Sequence, residues 1–383
     1  MTRVADLDPY DLVADEITVT RKAEIDRFWE AFAAQAADLD QLFTRQKDGV
    51  DPVAAMAPLA EVDPQLMWEF GPAEGGHCIC ITAEGRMDLR ALARAVVNAR
   101  PEIPGWSAMD QREPTSPDLA VAVFEGRFQR QFALEEIEIS RGHDNRLDLV
   151  GHGRGAAEEL ADQVYGFATI TLGEAEERIW LGFVDGAPRK SGWFKRRRSL
   201  DIAGFNEELQ AEIGAVRADL PEAPYAARDL ETGPASMANL EIGPSARPDL
   251  ITFLAPFEPY LQACLTSLSF SSQRFSRFGE WFAFVRVPRT EAMPFDEVTE
   301  RGQIEDSLHT RLGAADLGGV AAAGHGVDAV YIDLALTDLH RGPALVAEVL
   351  SDLPAFSETT LHFLEAGLVD RPFPLSTFRR PLQ

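Results

Sequence analysis

Cysteine is scarce, with three residues in 383. Cys78 and Cys80 lie too close in one stretch to bridge comfortably, and Cys264 is remote. A disulfide framework is thereby excluded and a reducing, cytoplasmic setting is expected. No run of about 18 apolar residues occurs, which excludes a helical membrane span. The opening MTRVADLDPYDLVADE has no apolar signal core. Basic residues are few: 36 Lys and Arg against 62 Asp and Glu, a net charge of −26. Such a charge repels nucleic acid and anionic lipid. A protein partner is expected, with no nucleic acid and no membrane; oligomeric state is open.

Catalytic signatures are missing as well. There is no nucleophile elbow, no H-E-x-x-H and no kinase set, and seven scattered histidines supply no clear base. No catalytic residue, metal or cofactor is assigned. His77-Cys78-Ile79-Cys80 resembles a metal fragment, but strand alternation separates His77 from the two thiols, so these read as buried structural cysteines. Gly151-His152-Gly153-Arg154-Gly155 lacks dinucleotide and P-loop spacing and reads as a loop leading into a helix, with an anion site as the alternative. Gly324-His325-Gly326 reads as a tight turn requiring positive φ. The run Lys195–Arg198 reads as a solvated linker, with a phosphate or acidic partner as the alternative.

What remains is an ordinary globular composition, 45% hydrophobic and 26% charged, long enough for two domains. The expected class is α+β, with an N-terminal α+β domain over 1–185, a proline-rich connecting segment over 186–250 and a C-terminal α+β domain over 251–383. Residues 1–19 read as polar and partly extended. Ile25, Phe28, Trp29, Phe32, Ala36, Leu39 and Phe43 form one stripe at helical period, predicting a core-facing helix over 22–43. A short helix is expected near 52–60, a hairpin over 66–82 and a helix over 88–98 capped by Asp88. Strands are expected near 106–110, 119–124, 136–140, 146–150 and 178–184, and helices over 156–170 and 204–218. Prolines then argue against long helices and central strands over 221–259, apart from a short strand at 237–242.

The clearest pattern is C-terminal. Strand 281–287, helix 294–312, strands 317–323 and 328–335, helix 343–353 and strand 359–365 follow the order of a ferredoxin-like (βαββαβ) unit. Val330, Ile332 and Leu334 share one face, to be covered by the helices. The other, helix-free face would then carry Arg286, Tyr331, Asp333 and His362 as a candidate binding cluster. The plainer alternative is a solvated face, or one packed on the N-terminal domain.

Two stretches resemble known families. Phe28-Trp29-Glu30-Ala31-Phe32, Leu42-Phe43, Phe70, His77–Thr82 and Arg100-Pro101-Glu102-Ile103-Pro104-Gly105-Trp106 resemble an uncharacterised bacterial family with a Phe-Trp-x-x-Phe helix and a later A-P-x-[IL]-x-G-W segment. Arg100 stands where that family has alanine. The likeness spans about residues 22–184 and implies no activity. Gly279-Glu280-Trp281-Phe282-Ala283-Phe284-Val285-Arg286-Val287-Pro288 is similar to a second domain of unknown function. Through fold order and acidity the C-terminal unit also resembles the RraB-type regulators of ribonuclease E activity, which implies a protein-binding regulator. The expected function is a non-catalytic binding or regulatory module, against an enzyme or small-ligand sensor with its site at the domain junction.

Overall fold

A computed structural model describes residues 8–45, 51–188, 199–231, 233, 235–240, 243–244, 246–266, 269–295 and 298–379. Helices and strands are mixed, an α+β protein. The described residues fall into two compact units, 8–115 with 172–175, and 116–171 with 176–379. This cut differs from the expected ones after 185 and 250: strands from 134 onward share a unit with the C-terminal sheet.

The first unit opens on helix α1 (Pro9–Thr20), where an extended segment was expected. Its start is a capping box: Asp8 accepts from Tyr10 N (2.8 Å) and Asp11 N (3.2 Å), and Asp11 accepts from Asp8 N (2.9 Å). Pro9 stands where an amide would lack a helical partner. Helix α2 (Lys22–Arg45) buries the predicted stripe from Ile25 to Leu39, while Phe43 is partly exposed against Phe70 and Trp106. Two buried indoles of this unit find backbone acceptors, Trp29 Nε1 on Val96 O (2.7 Å) and Trp106 Nε1 on Ala36 O (3.1 Å). Short helices α3 (Pro52–Met56) and α4 (Leu59–Val62) lead to strands β1 (Met67–Ala73) and β2 (Gly76–Thr82). Gly75 turns this hairpin at φ +80°, a conformation that favours glycine. Helix α5 (Arg90–Asn98) crosses to β3 (Trp106–Met109), parallel to β2. Asp88 does not cap α5; it pairs with exposed Arg86.

The second unit opens on a helix. Residues 117–128 form helix α6 (Pro117–Phe128), not a strand. Ser116 caps it and Pro117 occupies its first position, and these end signals outweigh the β-propensity of the Leu119–Phe124 run. Strands β4 (Leu134–Arg141) and β5 (Leu147–Gly153) form a hairpin, so Gly151–Gly153 is strand rather than loop. A Cβ on Gly151 would meet Val164 at 2.0 Å, so the glycine admits helix α7 (Ala157–Trp180) against the sheet. Strands β6 (Leu181–Pro188) and β7 (Ser199–Asp201) complete the order β6-β5-β4-β7, followed by helix α8 (Phe205–Ala218).

The proline-rich stretch is more structured than expected. It holds β8 (Ser236–Asn239), β9 (Leu250–Ala255) and helix α9 (Glu258–Thr266), whose prolines fall in loops or at the helix start. Strand β10 (Trp281–Pro288), helix α10 (Val298–Ala314), strands β11 (Gly318–Gly326) and β12 (Ala329–Leu336), helix α11 (Arg341–Val349), strand β13 (Thr360–Phe363) and strand β14 (Phe373–Pro374) follow. Where a four-stranded unit was expected there is one seven-stranded sheet, ordered β14-β13-β10-β12-β11-β9-β8, with every neighbouring pair antiparallel. Gly324 and Gly326 belong to β11, and neither has positive φ. Gly324 lies where a Cβ would meet Leu250 at 2.5 Å, so crowding by β9 explains it better than a turn.

Candidate functional site

The register places the four predicted side chains on one face. Arg286 lies opposite Tyr331, and Phe284 lies between Asp333 on one side and His362 on the other. The face is neither free of helix nor open. Tyr260, Leu261 and Ala263 of α9 pack on it with Tyr225, Phe270 and Phe275, in one core cluster with Phe282, Phe284 and Tyr331. Tyr331 and Asp333 are fully buried, His362 is 9% exposed and Arg286 is partly exposed.

At the centre is Arg247, which the sequence reading missed because it sits among prolines. Only 2% exposed, it donates from Nη2 to Asp333 Oδ2 at 2.9 Å. Its guanidinium carbon lies 4.2 Å from the Phe284 ring centre and 4.9 Å from that of Phe253. Aromatic faces thus stand in for the water that a buried cation gives up. The Tyr260 hydroxyl also donates to Asp333 Oδ2, at 3.0 Å. Burial pushes the Asp333 carboxyl upward, and Arg247 pulls it back. Tyr331 donates to Asp249, whose Oδ2 also accepts from Asp328 N and Ala329 N. Burial and then Asp249 raise the tyrosine's pKa. His362 stacks flat on Phe284 at 4.5 Å and meets Thr360 Oγ1 and Val369 O. Tyr331, Asp333 and His362 are therefore polar groups inside a largely apolar core, each bonded to a residue outside the predicted four.

A second buried pair joins the β4–β5 turn to the segment before β10. Arg274, fully buried, donates from Nη1 to Asp144 Oδ2 and to Asp144 O, each at 3.0 Å, while Asn145 Nδ2 donates to Arg274 O at 3.0 Å. Burial alone would raise the Asp144 carboxyl, but Arg274 and Arg146 outweigh it and hold it below the usual range. This is a structural clasp inside the second unit. In the first unit Cys78 and Cys80 are buried and free, and burial raises both thiols. His77 packs on Phe43 and Trp106 and faces Asp40 at 3.1 Å.

Accessible features gather at one end of the seven-stranded sheet. Strand β8 has no further strand on its outer side among the described residues. Met237 lies opposite Leu254, 66% and 40% exposed, and Ile251 and Val327 nearby are also exposed. Leu240 N donates inward to Ile251 O. Antiparallel alternation then turns the backbone N–H and C=O of Met237 and Asn239 outward. Beside this end, just past β9, opens an apolar pocket of about 460 Å³ lined by Pro221, Pro224, Tyr225, Pro256 and Phe257, with Arg228 at its wall.

Among the described residues no group of three or more His, Cys, Asp or Glu is placed to hold a metal, and no helix is long and apolar enough to cross a membrane. The basic run Lys195–Arg198 lies outside the described residues. Comparison with protein-family models, curated proteins and solved structures returned no match.

Proposed function

We propose that this chain is a non-catalytic binding module that takes an extended segment of another protein onto the outer edge of β8. The observation that carries this reading is the edge of β8, which no strand covers among the described residues: outward backbone groups at Met237 and Asn239, next to the exposed pair Met237–Leu254. Strand addition draws affinity from main-chain hydrogen bonds and specificity from pockets for side chains. The apolar pocket past Ala255 adjoins the start of β8, since Ala255 pairs with Ser236, and offers a place for an apolar anchor. The net charge of −26 favours a basic partner and speeds its encounter.

We read β10 to β13 with α10 and α11 as a ferredoxin-like unit. In support, the order β13-β10-β12-β11 is the fourth, first, third and second strand of that arrangement. Strands β9 and β8 extend it on one side and β14 on the other. The resemblance to RraB-type regulators points to the same protein-binding role. The engagement of Tyr331, Asp333 and His362 in core contacts moves the proposed binding from that face to the edge of β8.

The test compares capture of partners from native lysate by the wild-type chain and by Asn239→Pro and Met237→Glu. Proline at 239 removes an outward N–H and leaves the ladder to β9 intact. A specific protein held by wild type and lost with both variants, at unchanged thermal stability, supports the proposal. Equal retention by both variants, or no specific partner, counts against it.

A further inference from the structure

A second concavity lies where the end of α8 meets the segment leading into β10. It encloses about 380 Å³ and is lined by Arg217, Ser272, Gln273, Arg277, Glu280 and Trp281 among others. We propose that this pocket binds a small molecule bearing an oxyanion, a carboxylate or phosphate, held by Arg217 and Arg277. The proposal is independent of strand addition at β8.

Charge at this pocket runs against that of the chain. The chain carries −26, yet neither Arg217 nor Arg277 has an acidic partner among the described residues. Arg217 is exposed, its guanidinium carbon 5.4 Å from the Trp180 ring centre, a contact that orients the side chain and leaves its N–H fork free of carboxylates. Arg277 is fixed through Nη2 to the carbonyls of Ala218 and Leu220 at the end of α8. Two arginines lining one pocket, each with a weakly hydrated, planar guanidinium, suit an oxyanion better than a neutral ligand.

The pocket also holds a buried donor. Ser272 is 1% exposed and lines the pocket. Its Oγ accepts from Phe282 N at 2.9 Å, and its own O–H has no acceptor among the described residues. The one carboxylate on the wall, Glu280, is occupied by the protein: Oε1 accepts from Tyr225 N at 2.8 Å and Oε2 from Ser276 Oγ at 2.6 Å. Burial raises its pKa, which further weakens its opposition to an incoming anion. The volume lies near the lower end of the roughly 300–1,000 Å³ usual for ligand pockets, so the ligand is small.

Calorimetry and thermal shift on the full chain, at fixed ionic strength in chloride, test this with inorganic phosphate and succinate as probes. Saturable binding of at least one is expected, weakened about tenfold or more by Arg217→Gln and less by Arg217→Lys. The probe that binds more tightly tells phosphate from carboxylate recognition. Arg217 is exposed, so the variant should fold; Arg277→Lys, which keeps the charge, provides a second reading at the other guanidinium. Arg27→Gln, at an exposed pair in the first unit, is the control and should change nothing. The proposal is overturned if neither anion binds saturably, or if Arg217→Gln leaves the affinity unchanged.

Discussion

The two units handle charge in opposite ways. In the first, two arginines sit at the edge of the core and each collects three carboxylates. Arg94 meets Asp8, Asp11 and Asp110, and Arg112 meets Glu69, Glu84 and Glu174, all with some access to water. In the seven-stranded sheet a single arginine and a single carboxylate, 2% and 0% exposed, are sealed between aromatic rings. At an edge, water and spare carboxylates share the cost of ionisation, so no one partner is indispensable. In a core, each charge depends on the other.

The sharpest way to break this comparison is to remove one partner in the sealed pair. Asp333→Ala should cost about 3–5 kcal/mol in chemical denaturation, because it strands the Arg247 cation. The double variant Arg247→Met with Asp333→Leu should recover most of that loss. A cost below about 1 kcal/mol for Asp333→Ala would put both units on the same footing.

Acid sharpens it next. His309, His325 and His362 belong to α10, β11 and β13, and burial is the first cause that lowers the pKa of each, His325 to about 4. A histidine whose folded pKa is depressed takes up fewer protons folded than unfolded. Its stabilisation is complete above the usual histidine range and is lost as pH falls from about 6.5 toward 4. Stability measured across that window should fall by about 1–3 kcal/mol on account of His325 and recover with His325→Gln. A variant with the same slope as wild type would remove His325 as the cause.

The smallest effect belongs to the first unit. Asp8→Ala breaks the capping box of α1 and one contact of Arg94, whose other carboxylates remain. A loss of about 1 kcal/mol is expected. A loss comparable to that of Asp333→Ala would mean that the edge network is as interdependent as the core pair.

Much of the architecture was legible where one period ruled a segment. The stripe from Ile25 to Leu39 is buried as read, and the order from Trp281 to Phe363 carries the expected strands and helices. Errors arose where end signals opposed composition. Ser116-Pro117 began a helix in a run rich in strand formers, and Asp8-Pro9 began one in a segment read as extended. The proline count over 221–259 hid β9 and α9 because the prolines fall outside the strand and at the start of the helix.

Alternation alone determined that Arg286, Tyr331, Asp333 and His362 share a face, since side-chain direction in a strand follows local geometry. Only the tertiary structure decided what that face meets. Arg247, 86 residues before Asp333, and α9 cover it. No local pattern encodes that pairing, because it depends on how a distant, proline-rich segment folds back over the sheet. The same holds for the edge of β8 and for the arginine-lined pocket: their residues were plain in the sequence, but their exposure and convergence arise from packing between segments far apart in the chain.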